Sequence, residues 1–445
     1  MKLFQKLNSD RLRQLTTEST WILLGQLMAV LGALAGIRIL TEFMHPELYG
    51  QLALGLTLST LVSQTFMGPI SAGSSRFFSA ASESAELKLY LKAIRRLTSN
   101  VTFGLIFFTS ISIAGLIFFE YQSWILLILA SISFSVLTGY NNIFNAIQNA
   151  ARNRKIVALH SGITPWARIF AAVILMYLFG VSATIVILGY VIGTLVILAS
   201  HFFYLQPVIK TSKKQLSTHN NTINFWQGRI VDYSWPFATW GIFVALHLAS
   251  DKWALATFST SESVGFYTVL FQIGYFPVAI FTEMLVSVVS PIIFQRAGDA
   301  SSQQRVIKAV KLNVLTMGIV LIVTSIIFII AWTGHAIIFD LLAAKQYTKV
   351  SYLLPWFTLS AGIVAAAHVL SLARMSILQT KELITPKIVT AILGLLLNYF
   401  GAHLYGLEGV VFAQLIFSII YFVWMFFQYI VFSKKIMNGN QQHQV

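Results

Sequence analysis

The sequence predicts an all-α polytopic membrane protein, with about twelve transmembrane helices arranged as two six-helix bundles around a central cavity. Composition is the first reason: hydrophobic residues make up 57% of the chain and charged residues 10%, against roughly half and a quarter in soluble proteins. Secondly, apolar runs of about 20 residues, each long enough to cross a bilayer, recur from one end of the chain to the other. Thirdly, one motif returns about half a chain later.

The apolar runs predict twelve spans. Each run is too long and too continuous for a membrane barrel strand, and a helix satisfies its own backbone hydrogen bonds in lipid. We therefore expect every run to be helical, with the eighth and tenth spans disturbed by Pro277 and Pro355. The predicted spans cover residues 20–40, 49–72, 99–119, 124–147, 156–179, 183–205, 230–249, 264–292, 312–331, 351–376, 386–404 and 407–432.

A short hairpin motif appears twice. In the first copy, a span that carries Arg38 near its end is followed by Glu47 and, three residues later, by Gly50, which opens the next span. In the second copy, Glu262 precedes Gly265 by the same interval. Such weak internal symmetry is typical of transporters built from two related halves.

Basic residues in the loops predict the orientation. Almost all of them lie in connections on the side of the N-terminus, and only Lys252, Lys345 and Lys349 lie in the opposite loops. The positive-inside rule then places both termini in the cytoplasm. The same bias explains the net charge of +15, because cytoplasmic loops face anionic lipid. The sequence shows no recognisable nucleic-acid-binding module, so no nucleic acid is expected as a partner.

The predicted organisation has five parts. A polar, basic N-terminal segment is expected to be cytoplasmic, as a helix on the membrane surface, and a linker near the chain midpoint separates the two bundles. A second long cytoplasmic connection is expected at residues 73–98. The five parts are the N-terminal segment 1–19, the first bundle 20–205, the linker 206–229, the second bundle 230–432 and the cytoplasmic tail 433–445.

Motifs for enzymatic chemistry are absent from the sequence. There is no GxxxxGK[ST] phosphate loop, no HExxH metal motif and no GxSxG elbow, and the chain has no cysteine. We therefore expect no enzyme, no cofactor and no metal site. His160, His247 and His368 lie within spans; a packed or hydrogen-bonded role is the main interpretation, and proton coupling is the alternative.

Two glycine pairs predict close helix packing. They are Gly32 with Gly36, and Gly189 with Gly193. Each pair has the spacing that lets two helix backbones approach in a membrane.

Charged residues inside the spans are the most informative signal for function. An ionised side chain at the bilayer centre costs about 2.5–3.5 kcal/mol on insertion scales, so it needs a partner or a watery cavity. Arg168 lies about 18 Å into span five, at 1.5 Å per residue. Cations in a cavity suit an anionic substrate, especially a phosphate. Further candidates for substrate binding are Arg38, Lys252 and Arg374; for Arg38 and Arg374, snorkelling to the membrane interface is the alternative. Asp251 and Glu283 are candidates for ion coupling or ion pairing, with Arg168 as the candidate partner of Glu283.

Several short motifs resemble those of the polysaccharide-biosynthesis flippases, a family related to the multidrug and toxin extrusion transporters. Arg38-Ile39-Leu40 followed by Pro46-Glu47-Leu48-Tyr49-Gly50 is similar to the family's first hairpin. Ser74-Ser75-Arg76-Phe77-Phe78 resembles its arginine at the end of span two. The start of its second half resembles Ser234-Trp235-Pro236-Phe237, Asp251-Lys252 and Val264-Gly265-Phe266-Tyr267, with lysine where arginine often follows the aspartate.

The resemblance implies a function. Members of this family move lipid-linked oligosaccharides, carried on undecaprenyl pyrophosphate, from the inner to the outer leaflet of the bacterial inner (plasma) membrane. For this chain it implies alternating access through a basic cavity, with Arg76 added to the candidate residues. It also implies coupling to a proton or sodium gradient, contact with membrane lipids and polysaccharide assembly proteins, and a role in O-antigen, lipopolysaccharide or exopolysaccharide synthesis.

Two alternatives stay open. One is an ion-coupled multidrug exporter of the same superfamily, which would favour acidic groups in the cavity for cationic drugs. The other is a membrane polysaccharide polymerase or ligase, which would usually need a sizeable outer loop. The longest predicted outer loop, 332–350, is short.

Overall fold

The computed structural model describes residues 2–212, 222–297, 302–377 and 380–437. Helices dominate these residues, and no β-strand occurs among them, so the predicted all-α class is confirmed. The α-helices are α1 Lys2–Phe43, α2 Pro46–Val62, α3 Gly68–Glu83, α4 Leu87–Phe118, α5 Ile125–Ala150, α6 Arg154–Phe179, α7 Ala183–Ser212, α8 Ile223–Phe258, α9 Ser261–Ala297, α10 Gln303–Leu342, α11 Leu354–Met375 and α12 Ile384–Met437.

Two irregularities reconcile these helices with twelve spans. A π-helical turn, Ser63–Met67, joins α2 to α3. Pro69 has no N–H to donate one turn back, and this loosens the backbone there. Conversely, α12 contains two helices that meet at Gly406, where φ is 56°. Glycine adopts that conformation without a Cβ clash, so the chain has the two final helical segments that the sequence predicts.

The helices are long and apolar enough for a polytopic membrane protein. In the described part of the chain, nine helical stretches meet the length and apolarity of a membrane span, with α12 counted as one. The continuous helix α2–α3 falls outside that set because the π turn divides it. Helix α8 also falls outside, since Trp235, Pro236 and His247 lower the hydropathy of its central part.

Several predicted connections are helical instead. The expected connection 73–98 is wrong: α3 extends to Glu83, α4 begins at Leu87, and only a tight turn separates them. The predicted outer loop 332–350 is likewise mostly helix, because α10 continues to Leu342 and the 3₁₀ helix Lys345–Leu353 follows. Hydropathy detects only the apolar part of a helix, so the polar extensions of these helices were misassigned as loops.

The two ends of the first half also differ from expectation. Helix α1 runs from Lys2 into the first span without a break, so the N-terminal segment is helical but is not a separate surface helix. Helix α7 ends at Ser212 and α8 begins at Ile223, so most of the predicted linker, 213–221, lies outside the described residues. The same holds for the end of the tail, 438–445.

The chain forms two compact units. Unit 1 comprises Met1–Met44 and Leu54–Ala245, and unit 2 comprises His45–Ala53 and Leu246–Val445. The division between these two units falls within α8, between Ala245 and Leu246. The N-terminal part of α8 belongs to unit 1 because the indole of Trp226, 2% exposed, donates a hydrogen bond of 3.0 Å to Glu86.

Unit 2 contains the point where the two hairpin copies meet. A Cβ built on Gly50 would lie 1.9 Å from the carbonyl oxygen of Ser261, and one built on Gly265 would lie 1.9 Å from that of Pro46. Only glycine allows two backbones to come this close. Both repeat glutamates, Glu47 and Glu262, line one cavity of about 260 Å³ at this crossing.

Candidate functional site

Helix α6 carries Arg168 and packs closely against α1. A Cβ on Gly32 of α1 would lie 2.8 Å from Nε1 of Trp166, and one on Gly36 would lie 2.6 Å from Cδ1 of Ile169. The first predicted glycine pair therefore brings α1 onto α6, as expected from its spacing.

The second glycine pair brings α7 onto another part of α6. A Cβ on Gly189 would lie 2.3 Å from Cα of Ala172, and one on Gly193 would lie 2.7 Å from Cα of Arg168 itself. The backbone that carries Arg168 is thus held between two helices that approach through glycines. This packing fixes the position of the Arg168 backbone, from which the guanidinium side chain extends.

Neutral groups hold the Arg168 side chain inside unit 1. Its Nε donates to Oγ1 of Thr194 at 3.0 Å, and its Nη2 donates to Oγ1 of Thr138 at 3.2 Å. The guanidinium carbon lies 4.8 Å from the ring centre of Phe134, a favourable cation–π distance. Among the described residues, Nη1 has no hydrogen-bond partner and no carboxylate pairs with the group. The positive charge is therefore uncompensated within the described part of unit 1.

Two other candidate arginines have acidic partners. Arg38 forms an ion pair with Glu42, one turn further along α1, and the Arg38 side chain is 41% exposed. Arg374 is buried and forms an ion pair with Glu382. Its Nη2 also donates to the carbonyl oxygen of Gln428 at 3.2 Å. Both arginines are thus neutralised within the unit to which they belong.

The remaining candidate cations, Arg76 and Lys252, differ in their exposure and in their ion pairing. Arg76 is exposed on α3 and makes no ion pair with a described residue. Lys252 is 8% exposed, and its Nζ lies 3.1 Å from Oδ1 and 3.2 Å from Oδ2 of Asp251. The hydroxyl of Tyr267 donates to the same carboxylate at 2.8 Å.

The two candidate acids therefore have different surroundings. Asp251 is 1% exposed, and its carboxylate forms an ion pair with Lys252 and accepts a hydrogen bond from Tyr267. Glu283 is exposed on α9 and forms no ion pair or hydrogen bond with a described residue of unit 2. Of the two alternatives predicted for these acids, Asp251 has the geometry of an ion pair.

Sequence reasoning missed the groups that hold the ionisable side chains. Thr138 and Thr194 carry no distinguishing signal, because threonine is common in membrane helices. His201 was also missed, although an ionisable residue in an apolar run is a signal. Its ring lies against that of His160, with ring centres 3.7 Å apart. Within the described ranges, no three His, Asp or Glu side chains converge as metal ligands.

Comparison with known proteins supports the all-α membrane fold described above. A family described as "Polysaccharide biosynthesis protein" matches residues 15–297. Among curated proteins, none matches the sequence.

Solved structures match nearly the whole chain. An inward-facing multidrug resistance MATE family transporter of the MOP superfamily is 13% identical, with a TM-score of 0.66 over 92% of this chain and 96% of its own. The lipid II flippase MurJ, in an inward closed conformation, is 14% identical, with a TM-score of 0.63 over 97% and 94%. The Vibrio cholerae MATE transporter VcmN, in its bent form, is 15% identical, with a TM-score of 0.56 over 98% and 99%.

The fold is thus that of the MATE and MurJ transporters, an all-α polytopic membrane fold. Since the family match covers well over half of the chain, the chain belongs to the polysaccharide biosynthesis protein family.

Proposed function

We propose that this protein is a flippase that moves a lipid-linked oligosaccharide, of the undecaprenyl-pyrophosphate type, from the inner to the outer leaflet by alternating access. Membership of the polysaccharide biosynthesis family supports a polysaccharide precursor as cargo. The fold that the chain shares with a lipid II flippase is compatible with moving a lipid that bears a large polar head.

The observation that carries the proposal is the environment of Arg168. A cation inside a membrane bundle needs an anion, a partner dipole or water. Two threonines hold Nε and Nη2, and no described acid neutralises the charge. A pyrophosphate offers the oxygens that an arginine contacts with two parallel hydrogen bonds. Arg168 is therefore proposed as the main contact to the anionic head group, with Arg76 as an accessory contact.

The other cations have smaller proposed roles. Arg38 and Arg374 already pair with Glu42 and Glu382, and Lys252 pairs with Asp251. Each could meet the head group only by exchanging its carboxylate for the substrate's oxygens. We therefore rank them below Arg168 as substrate contacts.

Energy for transport is proposed to come from a proton or sodium gradient, because the sequence has no phosphate loop for ATP. Asp251 and Glu283 remain the acids proposed for ion coupling or ion pairing, and the contact with Lys252 favours the ion-pair role for Asp251. The protein is proposed to lie in a bacterial inner membrane with both termini in the cytoplasm. There it would contact membrane lipids and polysaccharide assembly proteins during O-antigen, lipopolysaccharide or exopolysaccharide synthesis.

The alternatives are less well supported. A multidrug exporter would share this fold, but cationic drugs favour free acidic groups. Of the two candidate acids, Asp251 is neutralised by Lys252, and only Glu283 is exposed without a described partner in unit 2. A polymerase or ligase would need room for reacting sugars outside the membrane. The segment predicted as the longest outer loop is mostly helix, since α10 ends at Leu342 and a 3₁₀ helix begins at Lys345.

A deletion strain tests the proposal in cells. We expect cells that lack the protein to accumulate lipid-linked oligosaccharide in the inner leaflet, and a plasmid-borne wild-type copy to restore surface polysaccharide. If the deletion strain makes normal surface polysaccharide and accumulates no precursor, the proposed function is wrong. If export of cationic dyes is lost instead, the exporter alternative is favoured.

A further inference from the structure

Two histidines lie buried against each other between α6 and α7 of unit 1. His160 is 2% exposed and His201 is 0% exposed. Their ring centres are 3.7 Å apart and their planes are tilted by 37°. The rings therefore touch face to face at a tilt, and they do not share a hydrogen bond.

The hydrogen bonds of this pair are incomplete. Of the four ring nitrogens, Nε2 of His160 lies 2.9 Å from Oγ of Ser200. The other three, Nδ1 of His160 and both nitrogens of His201, have no partner in the described part of the chain. Buried polar atoms are nearly always paired. Each neutral ring has one unprotonated nitrogen, and on His201 that nitrogen has no hydrogen-bond partner whichever tautomer is present.

We propose that His160 and His201 form a proton-binding site that couples transport to a proton gradient. This inference rests on the proposed function and names its coupling ion. A neutral imidazole accepts a proton at its unprotonated nitrogen and becomes a cation. Two cations at 3.7 Å would repel each other strongly, so the pair takes up one proton. Water that reaches the pair in another conformation of the transport cycle supplies and removes that proton.

The surroundings favour a proton over a metal ion. Among the described residues, no third His, Asp or Glu joins the two histidines to complete a metal-binding set. The ring of Tyr204, on α7, lies 5.7 Å from that of His160. The ring of Phe144, on α5, lies 6.0 Å from that of His201.

No fixed charge in the described part of unit 1 neutralises the pair. The cations closest to it along α6 are engaged elsewhere: Arg154 bonds to Asn149, and Nζ of Lys155 lies 5.2 Å from the ring centre of Trp21. No described acid of α1, α4, α5, α6 or α7 contacts either imidazole ring. A proton on the pair would therefore add a net positive charge.

That charge would lie on the same helix pair as the proposed substrate contact. His160 precedes Arg168 by eight residues on α6, about 12 Å at 1.5 Å per residue. On α7, His201 follows Thr194, the partner of Arg168, by seven residues, which is two helical turns. The His160–His201 contact and the Arg168–Thr194 hydrogen bond both lie between α6 and α7. A change in the packing of these two helices would therefore alter both contacts together.

Transport in proteoliposomes tests the coupling. The full chain would be reconstituted with fluorescently labelled undecaprenyl-pyrophosphate N-acetylglucosamine, and flipping would be measured with and without an imposed proton gradient. We expect the gradient to accelerate wild-type flipping several-fold. The double variant His160→Gln/His201→Gln should still flip the lipid without a gradient but should lose the acceleration. His403→Gln, which changes an exposed histidine on α12, should keep it.

A second measurement is independent of transport. Histidine ring NMR signals of the full chain in nanodiscs would be followed from pH 8 to pH 5, with single variants used for assignment. We expect the His160 and His201 signals to shift together, and Ser200→Ala to move the midpoint of that shift without unfolding the protein. If neither ring titrates, the proton site is wrong even where the protein flips lipid.

The outcomes separate the two proposals. If the wild type flips the lipid but ignores the proton gradient, or if the double variant keeps the acceleration, the proton site is overturned and the flippase stands. If the wild type flips nothing while the two histidines titrate together, the proposed function fails and a proton site remains. If the double variant does not fold, Ser200→Ala and the NMR titration decide.

Discussion

At the residue scale, Arg168 differs from the other cations within the spans because its partners are neutral. Thr194 and Thr138 orient its guanidinium group without neutralising it. Charge-assisted hydrogen bonds contribute about 1.5–3 kcal/mol each. Loss of one such contact corresponds to roughly a tenfold to hundredfold loss of affinity.

We therefore expect Arg168→Ala to reduce precursor transport by about ten- to a hundredfold while the protein remains folded. Arg168→Lys should recover part of the activity, because lysine keeps the charge but loses the two-pronged geometry that suits phosphate. The measurement is restoration of surface polysaccharide in a deletion strain, together with expression and thermal stability in detergent.

Arg11→Ala, on the N-terminal segment, is the control and should be nearly silent. A well-folded, fully active Arg168→Ala protein would show that Arg168 does not contact the substrate. A poorly folded one would assign it a structural role instead.

Arg374 is expected to be structural. It is buried and pairs with Glu382, whose side chain is 52% exposed. Glu382→Gln leaves the buried guanidinium without its counter-ion, so we expect a loss of about 1–3 kcal/mol in the free energy of unfolding. A shift in the urea midpoint of the purified protein measures it. Unchanged stability combined with lost transport would instead place Arg374 in the substrate path.

Sequence reasoning found the charged residues by their depth but not their environments. The pairing of Arg38 with Glu42 was predictable, since residues four apart share one helix face. The pairing of Arg374 with Glu382 was not, because a helix end and a turn separate them. The threonines around Arg168 and the partner of His160 come from other helices, so only the packing reveals them.

At the element scale, glycines decide how closely α6 meets its neighbours. The four glycines of the two predicted pairs all contact α6, which the sequence predicted as close packing without naming the partner helix. Lipid offers little hydrophobic drive for helix association, so close van der Waals packing carries more of the stability.

Gly189→Ala tests this packing. Its new Cβ would lie 2.3 Å from Cα of Ala172, so α7 must move away from α6. We expect a loss of about 1–3 kcal/mol, as for other overpacked cores, together with reduced transport because Thr194 moves relative to Arg168. Thermal unfolding in detergent and the cellular assay would measure both.

Gly104→Ala is the matched control on α4. A Cβ at that position meets nothing within 4 Å, so the variant should be as stable and active as the wild type. Equal stability of Gly189→Ala and the wild type would contradict the role given to this contact.

Hydropathy predicted where the helices lie in the sequence better than it predicted the residues at which they begin and end. It located every apolar segment, but it could not show that α3 and α4 extend beyond the apolar segments to a turn at 84–86. The signal it measures is transfer into lipid, and polar helical turns outside the membrane lack it. The sequence also did not reveal the boundary between the two compact units inside α8, because that boundary depends on tertiary contacts such as that of Trp226 with Glu86.

At the scale of the whole molecule, the loop charges predict twelve spans with both termini cytoplasmic. Cysteines introduced at Ser212 and Ser261 should therefore react with an impermeant thiol reagent from opposite sides of the membrane. The native chain has no cysteine, so the background is clean. Labelling of both positions from outside the cell would contradict the predicted topology.

The most direct test of the proposed function is a flipping measurement on the purified protein. Proteoliposomes would carry undecaprenyl-pyrophosphate N-acetylglucosamine with a fluorophore on the sugar, and external dithionite would quench every fluorophore that reaches the outer leaflet. We predict that the wild type makes the inner-leaflet pool accessible to quenching, that Arg168→Ala slows this by about ten- to a hundredfold, and that ethidium is not transported. If folded wild-type protein leaves the inner-leaflet pool protected, or if it transports ethidium rapidly and not the lipid, the proposal that this protein is a flippase for pyrophosphate-linked glycans is contradicted.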